Sequence, residues 1–390
     1  MKSYPHVGNS LTEVVPQLLA QGLMALRENA IMPRLVNRGF DRLAGDKGST
    51  IDIPIPSAIT AQPVTAANTP PSTASVSPTS VSLTMDQWVE APFYLSDKEL
   101  QEVMSGTIPM QASEAVKAIA NNVDNYLLAL YTGIYGYTGT AGTSPFSSAT
   151  TSDATAVRKI LNNQLAPLGD RRVVFDPDAE ANALDLRAFQ DGSYSGSFEA
   201  LTEGNLNRKL GFDWFMNQNV TTHTAGTASV SGVTVTCIDA NVVGDTTVTL
   251  DVATSTATLV AGDIISFAGH DQTYAVSTAV TLDETGVAVT ITPGLTTAVD
   301  GSGAAVAVTV KESHVVNLAF HRDAIAFANR PLSENNADQL GSVIQSAVDP
   351  VSGLVLRLEV SREHKRTRYS YDILYGAQLV RAQLAARLAG

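Results

Sequence analysis

Few groups of residues in this sequence could perform chemistry, and each departs from the pattern that its chemistry needs. A nucleophile elbow requires Gly-x-Ser-x-Gly, but the string 192–196 places Tyr194 at the serine position. A phosphate-binding loop ends in Gly-Lys, whereas residues 39–47 place an aspartate before the lysine. Gly301 and Gly303 lack the third glycine of a dinucleotide-binding turn. We therefore expect no catalytic residue and no enzyme.

The sequence signals for a metal site and for a reactive thiol are equally weak. The six histidines form no His-x-His or His-x-x-x-His pair, so local spacing predicts no metal site and no cofactor. His270 and Asp271 are adjacent, but they lie between two predicted strands, where a hairpin turn is the simpler interpretation. The single cysteine, Cys237, cannot form an internal disulfide. Its inward position on a predicted strand indicates a small core residue.

Size and charge restrict the class of protein. The chain has 390 residues, and a single core rarely exceeds ~300 residues, which predicts more than one domain. Its net charge is −13, and an acidic chain repels phosphate, which argues against specific binding of nucleic acid. We find no signal peptide and no long apolar run. The expectations are cytosolic synthesis and no association with a membrane.

The order of elements predicts an α+β protein with an insertion. An amphipathic arm opens the chain, and alternating strand patterns at 50–56 and 82–95 flank a long polar excursion rich in proline. A helix follows over 107–131, with apolar residues at helical spacing. The predicted segments are the arm (1–40), an extended β-ribbon (41–100), the long helix (101–153), an α+β domain in two parts (154–220 and 314–350), an insert (221–313) and a returning hairpin (351–390).

The insert has its own composition. No Lys or Arg lies between Lys209 and Lys311, although nine acidic residues do. Short alternating runs are separated by Gly, Pro and Asp turns, and this spacing is typical of a small antiparallel barrel or sandwich. The predicted strands are 233–237, 248–252, 264–267, 274–276, 287–291 and 306–310.

The last segment is basic, and its two alternating runs, 354–360 and 369–374, predict a hairpin joined by a charged turn. Basic and acidic regions of one chain can meet across subunit contacts.

Trp214 is expected to be buried, whereas Trp88 is expected either to be buried or to anchor an interface. The residues that we expect at subunit contacts are Trp88, Glu90, Arg362, Lys365, Arg366 and Arg368.

Several strings, in this order, resemble the coat-protein family of the short-tailed Salmonella phage, within the tailed-phage capsid proteins of the Hong Kong phage fold. The likeness covers nearly the whole chain and rests on the combination rather than on any one string. The strings are TIDIPIP (50–56), ANNVD (120–124), VVFDPDA (173–179), GFDWF (211–215), GDIISFAG (262–269), FHRDAIAFANRPL (320–332) and YDILYG (371–376).

The resemblance implies a structural subunit of an icosahedral double-stranded DNA phage shell. Residues 48–97 would overlap a neighbouring subunit, 107–133 would be the spine helix of a peripheral domain, and 154–220 with 314–350 would form an axial domain. The resemblance also implies pentamers and hexamers, a scaffolding protein, a portal protein and expansion on DNA packaging. The virion would be assembled in the bacterial cytoplasm. Some relatives cross-link the shell through a loop lysine, but residues 48–97 contain none.

Three other interpretations stay open at this stage. An encapsulating bacterial compartment of the same fold would enclose enzyme cargo instead of DNA. A secreted adhesion or surface protein would suit the Thr- and Val-rich insert, although no signal peptide supports it. An enzyme would require a pocket in which carboxylates and a histidine converge from distant positions.

Overall fold

The computed structural model describes residues 31–40, 50–56, 78–98, 107–148, 150–191, 206–253, 256–330, 342–348 and 354–390, with the separate positions 59, 61, 203, 204 and 332. These residues form two compact units. The first unit comprises described residues within 38–119 and 326–380, and the second those within 31–37, 120–325 and 381–390. Residues 1–30 of the predicted amphipathic arm and the string 192–196 lie outside the described residues.

The helices and strands account for most of the described chain. The helices are α1 (Met32–Leu35), α2 (Thr107–Ala129), α3 (Ser152–Asn163), α4 (Pro177–Asp185) and α5 (Arg187–Gln190). Single 3-10 turns occur at Leu130–Gly133, Thr227–Ser229, Arg322–Ala324 and Ala382–Leu384. The strands are β1 (Thr50–Ile55), β2 (Thr79–Thr84), β3 (Gln87–Ser96), β4 (Gly136–Gly139), β5 (Arg171–Phe175), β6 (Arg208–Lys209), β7 (Phe212–Met216), β8 (Thr222–His223), β9 (Val235–Cys237), β10 (Ala240–Asn241), β11 (Thr247–Val252), β12 (Ala257–Leu259), β13 (Ile264–Phe267), β14 (Tyr274–Val276), β15 (Val280–Leu282), β16 (Val287–Thr292), β17 (Val299–Asp300), β18 (Val306–Val310), β19 (His314–His321), β20 (Ile325–Arg330), β21 (Ser342–Val348), β22 (Val355–Glu363), β23 (Arg366–Leu379) and β24 (Ala385–Ala389).

The long helix α2 confirms the helical spacing read from the sequence. Its apolar residues recur every three or four positions, which places them on one side of the helix. The buried members are Ala112, Val116, Ile119, Ala120, Val123, Leu127 and Leu128. Among the described residues, no helix is both long and apolar enough to cross a membrane.

The first unit is built on an antiparallel sheet of strand order β20-β23-β22-β21, with β3 also paired to β23. The strands β1 and β2 form a separate two-stranded ribbon. Ile51 and Ile53 of β1 share a buried cluster with Leu83, Ala326 and Ala328. The ribbon therefore has a buried apolar face, which accounts for its strict alternation in the sequence.

Two details of the first unit differ from the sequence-based prediction. The returning ribbon strand is interrupted at Met85 and Asp86, and its second half, β3, pairs with β23 rather than with β1. The charged turn is also shorter than predicted, because Glu363 already pairs with Arg366. Most of the charged residues of this segment consequently lie on strands, where alternate side chains share one face.

The second unit contains a mixed sheet of order β4-β24-β19-β5-β7-β6, in which β8 also pairs with β19. Trp214 on β7 is 5% exposed and confirms the predicted buried anchor. Four phenylalanine rings surround its indole at centroid distances of 5.7–5.9 Å, in edge-on geometries that aromatic pairs favour. They are Phe146, Phe175, Phe189 and Phe212. The helical segment after β5 is divided at Leu186 into α4 and α5.

Between β8 and β19, also within the second unit, the chain forms a closed barrel. Its strand order is β11-β16-β14-β13-β18-β9, which confirms all six strands predicted from the alternation. The inward side chains, including the fully buried Cys237, make one continuous apolar core. The short pairs β10–β17 and β12–β15 were not predicted, because two or three residues carry too little periodicity.

The ribbon depends on a glycine at position 376. A Cβ atom there would lie 2.1 Å from the Thr84 carbonyl oxygen, a distance that requires the backbone to shift. We expect Gly376→Ala to destabilise the first unit by more than about 2 kcal/mol in denaturant unfolding. Gly169→Ala is the matched control, since nothing lies within 4 Å of its added Cβ. Equal stability of the two variants would contradict this packing.

Candidate functional site

An exposed face of β3 carries the first two predicted contact residues. Its outward side chains are Trp88, Glu90, Pro92 and Tyr94. Trp88 is 64% exposed and Tyr94 is 44% exposed. The prediction that Trp88 is buried is therefore wrong for this unit, and its role as an interface anchor stays a prediction. Large exposed aromatic side chains set among charges are typical of contact surfaces.

Trp88 is held in place by a charge pair beneath it. Its indole nitrogen donates to Asp372 Oδ2 at 3.1 Å, and Arg357 Nε donates to Asp372 Oδ1 at 2.8 Å. The side chains of Arg357 and Asp372 are 12% and 5% exposed, respectively. The indole is thus oriented by a largely buried ion pair that spans β22 and β23.

The neighbouring charges form a row along the same sheet. Arg368 Nη2 lies 2.8 and 2.7 Å from the two carboxylate oxygens of Glu90, and Ser370 Oγ donates to Glu90 at 2.9 Å. The guanidinium of Arg366 lies 4.4 Å from the centroid of the Tyr94 ring. These contacts fix the charges of the exposed face in defined positions.

The remaining predicted residues lie at the hairpin end. Arg362 donates to Asp97 at 2.6 Å across an exposed pair, and Arg366 pairs with Glu363. Lys365 occupies the turn with φ 55°, and its carbonyl oxygen accepts from the Asp97 amide. The structure places all six predicted contact residues on one sheet and its hairpin. The strand register puts Trp88, Glu90, Arg366 and Arg368 on one face, which we call the charged sheet face, whereas Arg362 is on the opposite face and Lys365 is in the turn.

Sequence reasoning missed a buried polar cluster in the second unit. His223 and His314 are opposite each other across β8 and β19, and each is 2% exposed. His223 Nε2 donates to Asp263 Oδ1 at 2.7 Å, and the Tyr131 hydroxyl lies 3.0 Å from His223 Nδ1. The two histidines are far apart in sequence, so spacing alone could not pair them. Their position at the two ends of the insert was the available signal.

Arg387 completes this cluster from the last strand, β24. It is fully buried, and its Nη1 donates to the Gly262 carbonyl at 2.7 Å. Burial lowers its pKa to about 10. Burial also lowers the pKa of His314 to about 4, and the nearby charge of Arg387 acts in the same direction. The side chains of both histidines, Asp263 and Arg387 are buried.

A second missed group is Asp124 on α2. Its carboxylate accepts from the Met32 amide at 3.3 Å and from Asn217 Nδ2 at 3.2 Å. Burial raises the pKa of Asp124 to about 6, although these hydrogen bonds oppose that change. This carboxylate therefore links three segments of the second unit as a structural acceptor.

Two of the positions considered for chemistry, His270 and Cys237, make local contacts within the barrel. His270 Nδ1 lies 3.1 Å from the Tyr274 hydroxyl in a turn of the barrel, and the buried Cys237 accepts from Asn241 at 3.3 Å. Burial raises the pKa of the Cys237 thiol, which disfavours a reactive thiolate. Within the described ranges, no group of three His, Cys, Asp or Glu side chains could hold a metal ion.

Comparisons with known proteins identify the fold. Neither the protein-family models nor the curated proteins match this chain. A chain from Mycobacterium phage Che8 matches with a TM-score of 0.53 at 15% identity, over 92% of this chain and 90% of that chain. This chain shares the fold of that phage chain.

Two further solved structures are similar at lower scores. The match to a chain of the cyanophage P-SCSP1u capsid covers 88% of this chain and 84% of that chain, with a TM-score of 0.49 and 9% identity. The match to a chain of the native GTA particle capsid covers 100% of this chain and 94% of that chain, with a TM-score of 0.46 and 10% identity. The described part of this chain combines mixed helix and strand content with a closed six-stranded barrel.

The pair beneath Trp88 gives a test of the charged sheet face. Arg357→Met removes the cation and leaves Asp372 buried without it, so we expect a loss of about 3 kcal/mol in the free energy of unfolding. Arg362→Met removes an exposed pair and should cost less than about 1 kcal/mol. Chemical denaturation measures both. Equal losses would show that the pair with Asp372 is no more important than a surface pair.

Proposed function

We propose that this chain is the major capsid subunit of a tailed double-stranded DNA phage, and that it is not an enzyme. The single observation that carries the proposal is the likeness in fold to the Mycobacterium phage Che8 chain over 92% of this sequence. Pentamers and hexamers of the subunit would close an icosahedral shell, because one surface repeated by rotation forms rings. The shell would assemble in the bacterial cytoplasm and expand when DNA is packaged.

The described elements fit distinct roles in such a shell. The β1–β2 ribbon belongs to the extended loop that would overlap a neighbouring subunit, and α2 is the spine helix of a peripheral domain. The mixed sheet would form the axial domain around the symmetry axes. The barrel would be an inserted domain like that of the short-tailed Salmonella phage coat proteins.

The charged sheet face is the surface that we assign to subunit contacts. It combines an exposed indole with fixed charges of both signs, and contact surfaces of this kind derive specificity from charge and affinity from aromatic anchors. A second copy of the chain is the partner. A scaffolding protein and a portal protein would complete assembly, and the net charge of −13 supports enclosure of DNA without sequence-specific binding.

Negative-stain electron microscopy of the chain, expressed with and without its neighbouring genes, tests the proposal. We expect uniform closed shells, or rings of five and six, that enclose DNA when the packaging genes are present. Particles that contain a protein cargo and no DNA would favour the encapsulating compartment. A monomer that forms no particle under either condition would contradict both.

Trp88→Ala tests the assigned contact surface. Loss of a central aromatic anchor typically costs an interface at least about 2 kcal/mol, so the yield of shells should fall at least tenfold at equal protein concentration. Val348→Ala is the control, because Val348 is another exposed apolar residue of the same sheet. Unchanged shell yield with Trp88→Ala would remove this face from the contact.

The absence of lysine from residues 48–97 gives a further test of shell chemistry. A covalent isopeptide cross-link from the loop would need a lysine amine. We therefore expect boiled, denatured shells to run on a gel as a single band at 41.0 kDa. A ladder of higher bands that persists after reduction would contradict this expectation.

A further inference from the structure

The barrel joins the mixed sheet through two chain crossings that lie side by side. The strand β8 leads into the barrel and β19 leads out of it, and their paired residues 222–223 and 314–315 form a two-stranded neck. At this neck the ring centroids of His223 and His314 are 5.4 Å apart. The Val316 amide donates to the Thr221 carbonyl at 3.0 Å beside them.

Charged groups meet the neck from two directions. Asp263, in the barrel turn before β13, accepts from His223 and also from the Val260 amide at 2.7 Å. Arg387, on β24, donates to the Gly262 carbonyl of the same turn and lies 5.0 Å from the centroid of the Tyr131 ring. The neck therefore fastens the barrel to two other parts of the second unit.

His314 is the member of this cluster whose charge the surroundings oppose. Its Nδ1 lies 2.8 Å from the Glu312 carbonyl and donates to it, whereas its buried Nε2 has no hydrogen-bond partner within the described residues. A proton added at Nε2 would be buried close to the Arg387 guanidinium. The titratable and charged groups that face His314 are Arg387, His223, Asp263 and Tyr137, while Lys311 lies over the Tyr137 ring.

We propose that the neck is an acid-released latch, in which protonation of His314 separates β8 from β19 and loosens the attachment of the barrel. The buried pairing of the two histidines, the unpartnered Nε2 and the adjacent guanidinium carry this inference. Burial of a second cation in this enclosed site is costly, so a protonated His314 is more stable once the neck opens. The latch is independent of the shell function, since it concerns only contacts within the second unit.

The direction of the pH dependence follows from the lowered pKa of His314. Folding favours the neutral ring, so the latch has its full stability above the ordinary pKa of 6.5 and loses it as the pH falls towards about 4. Asp124 acts in the opposite direction, because its raised pKa of about 6 makes acid stabilise the folded form. Acid opening of the neck therefore cannot come from Asp124.

Hydrogen–deuterium exchange of the full chain at pH 7.5 and pH 5.0, corrected for intrinsic exchange rates, tests the latch. We expect the opening equilibrium at the Val316 amide to rise on the order of 30-fold in acid, given tenfold per unit of pKa change. The amides of the barrel strands β11 and β16 should keep their protection. His314→Gln should abolish the acid response at Val316, and the control His364→Gln, in the exposed hairpin turn, should retain it.

Three results would overturn the latch. They are equal protection of the Val316 amide at both pH values, an acid response that survives in His314→Gln, and simultaneous loss of protection in the neck and the barrel strands. If His314→Gln is already unprotected at pH 7.5, the comparison of neck and barrel amides in the unmodified chain decides the question. A rise confined to the neck then supports the latch, and a uniform rise contradicts it.

Discussion

The buried guanidinium of Arg387 is the interaction on which the second unit depends. Its donors reach the Gly262 carbonyl of the barrel and, at 3.3 Å, the Thr132 carbonyl that follows α2. A buried cation is costly unless its surroundings compensate for lost hydration. Two carbonyls, the Tyr131 ring and the nearby Asp263 supply that compensation. The last strand, the end of the long helix and the barrel are therefore fixed to one another.

This constraint explains how the fold accommodates a barrel between two strands of a sheet. The entry and exit strands are paired at the neck. The two ends of the inserted segment therefore lie side by side. Its apolar core is continuous on its own, and an inserted domain with adjacent ends is readily tolerated. The link to the rest of the unit is instead polar, and this is why a change in protonation can act on it.

The sequence predicted the elements whose signal is local. The six barrel strands follow from alternation with a period of two, and α2 follows from helical spacing. What it could not predict were contacts between distant residues. The pairing of His223 with His314, the ion pair of Arg357 with Asp372 and the exposure of Trp88 depend on register and sheet order. The interruption at Met85 and Asp86 was missed because alternation continues in phase across it.

The charged sheet face connects this fold to the proposed shell. A cryo-electron microscopy reconstruction of the assembled particle tests that claim most directly. Our account predicts a closed shell of five- and six-membered rings, with Trp88 and its neighbouring charges covered by an adjacent copy of the chain. A shell in which Trp88 faces solvent in every copy would contradict the assigned contact. Failure of the chain to occupy the shell at all would contradict the proposed function.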